Sequence, residues 1–93
     1  MRRLSQDEMR SEVFRSLRPE GLKAIHWISE WCLDSPAGRR GIVRFRAVFD
    51  GRAPERAPPR LWEFAMPADG HVPQRIDAHV LEFHIIYGRT DSS

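Results

Sequence analysis

The chain has 93 residues, 41% of them hydrophobic and 30% charged, with a formal net charge of +2; that is material for one domain, near the lower end of what builds a core without covalent staples. Its single cysteine, Cys32, excludes an internal disulfide and a cysteine-based zinc site, and no apolar run approaches the roughly 20 residues of a helical membrane span. The opening MRRLSQDEMR has basic residues but no apolar stretch behind them, so the expectation is a cytoplasmic protein with no membrane partner and no cofactor.

Ser5-Gln6-Asp7-Glu8 has the form of a capping box, in which the serine hydroxyl takes the amide of the third helical residue and the glutamate reaches back to the cap. Met9, Val13, Phe14 and Leu17 follow at helical spacing, with acids in the first turn and Arg10, Arg15 and Arg18 later, as the helix dipole favours. The pattern predicts a helix over 5–17 that stops near Arg18, because Pro19 disfavours helical geometry in the residue before it.

Residues 19–34 fit two patterns. Leu22, Ile25, Ile28 and Cys32 share a helical face, whereas Ile25, Trp27, Trp31 and Leu33 share a strand face interrupted at Ser29. A four-residue spacing such as Trp27–Trp31 serves both periods. The density of β-branched and aromatic residues after Ile25 favours a helical continuation to about Ala24 and then a strand over 25–34.

A turn over 35–40 then leads to the clearest strand of the chain. Val43, Phe45, Ala47 and Phe49 alternate with Arg44, Arg46 and Val48, and Asp50-Gly51 closes the run with a turn dipeptide. These two strands would form a hairpin. Residues 51–60 form a loop rich in Pro and Arg, whose prolines bar a central strand. A third strand is expected over 60–66, a turn over 67–70 and a long fourth strand over 75–87, with a frayed tail at 89–93.

The last strand is apolar on both sides. Ile76, Ala78, Val80 and Ile86 share one face with Glu82 and His84; Leu81, Phe83, Ile85 and Tyr87 share the other with Asp77 and His79. Antiparallel strands read this way when both faces are covered. One helix covers one face, so a partner subunit is the natural cover for the second. The expected fold is α+β: an N-terminal helix packed on a curved four-stranded antiparallel sheet, its strands in roughly sequential order.

Trp27-x-x-x-Trp31, a turn, and the alternation from Gly41 to Phe49 resemble the hairpin of NTF2-like (cystatin-like α+β) domains. Glu63-Phe64, Asp69-Gly70 and the strand after them are similar to the later sheet of that family. The resemblance covers residues 25–87 and implies a helical section seated in the concave face of a curved sheet. It also implies a pocket of the kind in which isomerases and dehydratases of the family place an Asp and a His above an apolar floor.

Three sets of residues are candidates for function. Asp77 and His79, with Tyr87 further along the same strand face, would form an acid–base pair in such a pocket; the plainer reading leaves them solvated at a strand start. Arg39, Arg40, Arg44, Arg46, Arg52, Arg56 and Arg60 set seven positive charges against Asp50 and Glu55, a stretch suited to a nucleic-acid backbone or an acidic protein. Arginine supplies all the basic residues except Lys23, and a GC-rich genome explains that as simply as selection for guanidinium forks. The third set is His26, His71, His79 and His84, of which His79 and His84 would point to opposite faces of one strand, so no metal site is expected. Trp27, Trp31 and Trp62 read as core or interface anchors. These features describe a small non-catalytic binding or accessory domain, homodimeric through its sheet, with an Asp77/His79/Tyr87 ligand-binding or enzymatic site as the alternative.

Overall fold

Ser5 sets the start of the first element. Its hydroxyl accepts from the Glu8 backbone N–H at 3.2 Å, and the Glu8 carboxylate accepts from the Ser5 N–H at 2.9 Å. The capping box is therefore complete, and the Ser5 backbone donor holds the Glu8 carboxyl below its usual range. The computed structural model describes residues 2–66 and 72–90, and in it α1 runs over Gln6–Leu17 with Met9, Val13 and Leu17 fully buried.

The helix does not continue to Ala24. Pro19 lies inside a single 3-10 turn over Arg18–Glu20, and Gly21, at φ 87°, ends it in the left-handed region where glycine carries no steric penalty. Strand β1 then starts at once and spans Leu22–Ser35. A two-residue turn at Pro36 and Ala37 leads into β2, Gly38–Phe49, so the hairpin is longer at both ends than the expected one.

β1 does not keep one face throughout. Trp27 lies opposite Phe45 and Ser29 opposite Arg44, leaving Ile28 as the extra residue of a β-bulge. A bulge shifts the side-chain alternation by one, so Ile25 and Trp27 face the core while Trp31 and Leu33 face away from it. The four residues read from the sequence as one face are thus divided between two.

The other strands are β3, Gln74–Arg75, and β4, Val80–Gly88. The four-stranded sheet is antiparallel in the order β1-β2-β4-β3, so the sequential order expected from the chain is replaced by direct pairing of β2 with β4. The expected third strand over 60–66 is instead a 3-10 helix, Pro59–Glu63, followed by a single bridge from Ala65 to Tyr87. Pro58 and Pro59 explain the change: they lack N–H donors, and a proline with φ near −65° starts a helical turn readily. Leu61 and Phe64, three apart, are both fully buried by that turn.

The expected strand over 75–87 is likewise broken, at residues 76–79. Ile76 N–H donates to Val80 O at 2.9 Å, and the Asp77 carboxylate accepts the His79 N–H at 2.6 Å, an Asx turn that folds β3 back on β4. The expected turn over 67–70 lies outside the described residues. Within the tail, Arg89 and Thr90 are held rather than frayed: Leu4 bridges Arg89, and Thr90 N–H donates to Leu4 O at 3.1 Å. Residues 91–93 lie outside the described part of the chain.

Helix α1 and the segment 50–66 cover one face of the sheet. Between them and the sheet lie Val43, Phe45, Phe49, Leu81, Phe83 and Ile85, closed from above by Met9, Leu17, Ala57 and Leu61. The sheet stays open rather than closing into a barrel, and no helix among the described residues is long and apolar enough to cross a membrane.

Two substitutions test this frame. Ser5→Ala removes the cap acceptor and is expected to lower stability by about 1 kcal/mol; an unchanged melting temperature would show that the cap contributes nothing. Gly41 lies against the ring of Tyr87, where an added Cβ would overlap ring atoms. Gly41→Ala is expected to cost on the order of 2 kcal/mol by overpacking, measured by urea denaturation.

Candidate functional site

The face of the sheet turned away from α1 is assembled row by row from the strand register. Leu33 and Arg40 form one row, and Trp31, Ile42 and Ile86 the next. Ser29, Arg44 and His84 follow, then His26, Arg46 and Glu82, and finally Ala24, Val48 and Val80. Apolar rows lie toward both ends and the middle is charged. Trp31 is 43% exposed and Leu33 53% exposed, so both present large apolar surface to solvent.

The charged middle is organised by Glu82. Its carboxylate accepts from Arg46 Nε at 3.0 Å and from Arg44 Nε at 3.3 Å. These two bonds, Arg46 first, hold the Glu82 carboxyl below its ordinary range. Sequence reading gave Glu82 no role, although its place two residues past Val80 on an alternating strand puts it among the outer residues. What was missing was the register, which sets it beside two arginines.

The seven arginines of residues 39–60 do not form one surface. Arg44 and Arg46 lie on the outer sheet face with Glu82. Arg39 pairs with Asp34 across the hairpin at 3.3 Å, and Arg40 reaches the Met66 sulfur. Arg52 and Arg56 are exposed in the loop after β2. Arg60 lies on the opposite side of the sheet, where it meets Glu12 of α1 at 3.3 Å.

Glu12 is the second electrostatic centre, and the sequence offered only its helical position as a clue. It is 7% exposed and accepts Arg2 at 3.0 Å, Arg15 at 3.4 Å and Arg60 at 3.3 Å. Three guanidiniums therefore share one carboxylate. A third carboxylate, Glu30, takes both Arg10 nitrogens at 2.9 and 2.8 Å, and the Arg10 guanidinium lies 5.0 Å over the Trp27 ring.

Asp77, His79 and Tyr87 are not brought together. Asp77 and His79 occupy the exposed bend between β3 and β4, where the Asp77 carboxylate is engaged by backbone and His79 Nδ1 lies 2.9 Å from Gly51 O. Tyr87 is fully buried at the other end of β4, opposite Gly41. At about 3.3 Å per strand residue, roughly 23 Å separates the two ends. Among the described residues no group of three or more His, Cys, Asp or Glu side chains is placed to hold a metal ion; His71 lies outside them.

No family model, curated protein or solved structure matches the chain.

Glu82 supplies a pH test. A carboxyl whose folded-state pKa is depressed contributes stability that is present above its unfolded value and disappears as pH falls through the folded one. Part of the stability lost on acidification below about pH 4.5 should therefore belong to Glu82. Glu82→Gln is expected to lose less than about 1 kcal/mol at pH 7, as partly exposed ion pairs do, and to flatten the acid limb of stability against pH. Urea midpoints measured from pH 3 to 7 that fall in parallel for both proteins would show that the cluster is not coupled to folding.

Proposed function

We propose that this chain is a non-catalytic binding module that pairs with a second copy of itself through the outer face of its sheet. One observation carries the reading: Trp31 and Leu33 stand well exposed on the outer face of the sheet, in rows with the half-buried Ile86 and the buried Ile42, and form an apolar patch there. Contiguous apolar surface of this kind, rimmed by charge, marks an interaction site in a soluble domain.

A second copy suits the layout of the face. In a twofold pairing each residue of the patch meets the same patch on the partner. Placing the axis near Ile42 and Ile86 buries the apolar rows against one another at the centre. The Arg44–Arg46–Glu82 cluster then falls at the periphery, where charge remains solvated, as in interfaces with an apolar core and a polar rim. Trp31, a large ring already presented by the bulged strand, is the anchor of the pairing. The absence of a converged acid–base pair at Asp77, His79 and Tyr87 favours binding over catalysis.

Sedimentation equilibrium at tens of micromolar tests the reading. The expected mass is twice the chain's 10.8 kDa; a clean monomer overturns it. Trp31→Asp should return the protein to a folded monomer, because Trp31 is 43% exposed within one chain. Leu81→Asp, at a position 1% exposed on the covered face, should unfold the chain by burying an unpaired carboxylate.

A further inference from the structure

The end of α1 separates two open clefts whose charged lining residues are all cationic. The first, about 320 Å³, is lined by Phe14, Arg15, Arg18, Leu22 and Lys23. The second, about 430 Å³, is lined by Arg15, Arg18, Pro19 and Arg60. Arg15 and Arg18 belong to both, being three residues apart on the same helical ridge. Asp50 is held beside Gly21 but lines neither cleft, and Glu12 and Glu20 are engaged or line another cleft. Glu12 is shared among Arg2, Arg15 and Arg60, and Glu20 lines a neighbouring cleft with Arg56 and Trp62. The side chains of Arg18 and Lys23 make no ion pair or hydrogen bond among the described residues.

We infer that this ridge binds the backbone of a single-stranded nucleic acid, with Phe14 as a stacking surface for a base. Three features select that ligand. The positive charge is in excess of its carboxylates, which calls for an anion. The clefts are open and follow a ridge rather than enclosing a volume, whereas a small metabolite site buries most of its ligand; an extended polyanion can lie across both. Phe14, 45% exposed, forms one wall of the first cleft and meets Trp27 edge-on at 6.3 Å, so the Phe14 ring is braced but keeps exposed surface. A stacking ring beside a cationic track is the arrangement that holds unpaired bases. An acidic peptide would use the charges and leave the ring without a role, and a duplex keeps its bases stacked on each other. The ridge belongs to the covered side of the sheet, so this binding does not depend on pairing through the outer face.

Anisotropy of a fluorescein-labelled 20-nucleotide oligo(dT) with the full chain tests the inference. The expected result is binding at 50 mM NaCl that weakens with salt at a log–log slope of about −3, for phosphate contacts by Arg15, Arg18, Lys23 and Arg60. Arg18→Gln with Lys23→Gln should weaken it at least tenfold with the thermal midpoint moved by no more than a few degrees, since neither side chain has a partner to lose and only the favourable charge at the end of α1 is removed. Phe14→Leu, which keeps an apolar contact with Trp27, should weaken oligo(dT) about tenfold but leave dextran sulfate binding unchanged, and Phe14→Tyr should restore it. Trp31→Asp should bind as the wild type does. Absence of binding at 50 mM NaCl overturns the inference, as does wild-type affinity in the Arg18/Lys23 double variant. Duplex DNA or poly-glutamate binding as tightly as oligo(dT) overturns it in favour of a plain polyanion surface.

Discussion

Phe45 lies opposite Phe83 in the β2–β4 ladder, and their rings stack at a centroid distance of 4.9 Å and an interplanar angle of 11°. One residue further along the same ladder, Arg46 lies opposite Glu82 on the other side of the sheet. A single register thus satisfies both faces: stacked rings toward α1 and a charge cluster away from it. With β2 held, a slip of β4 by one residue would carry Phe83 into solvent and drive Glu82 into the core beside Phe45, at a cost of several kcal/mol for the unpaired buried charge. The direct pairing of β2 with β4 also explains why the segment between them must leave the sheet plane. It crosses over the covered face as a proline-rich loop and 3-10 helix, and returns to the sheet through the short hairpin with β3.

The bulge at Ile28 is the second determinant. Without it, Trp31 and Leu33 would follow Trp27 onto the covered face, and Glu30 would face outward. With it, Glu30 is placed under α1, where Arg10 and Gln6 reach it, and the outer face acquires the exposed apolar side chains of Trp31 and Leu33. One extra residue therefore ties the helix to the hairpin and creates the apolar patch on which pairing between copies is proposed.

The charges of the chain divide along the same line. Outside, Arg44 and Arg46 are balanced in part by Glu82; on the helix side, Arg2, Arg15 and Arg60 share Glu12 while Arg18 and Lys23 stay unpaired. The density of arginine in residues 39–60 was legible in the sequence, but its meaning was not, because neighbours in sequence end on opposite sides of the sheet. The cationic ridge draws on Arg15, Arg18 and Lys23, which are separated in sequence from Arg60 and meet it only through packing.

The sequence by itself determined the capped helix, the β2 strand, the extended character of β4 and the α+β class. Each of these is written in local periodicity and in the side-chain chemistry of neighbours three or four residues apart. It also showed that β4 carries apolar residues on both faces. Only the tertiary structure decided that Pro59–Glu63 turns as a 3-10 helix, that β2 pairs with β4, and that Trp27 and Trp31 lie on opposite faces. Those choices depend on free energies that no local window contains: the burial of Leu61 and Phe64 against distant strands, the stacking of Phe45 on Phe83, and a bulge whose cost is met by contacts made elsewhere in the fold.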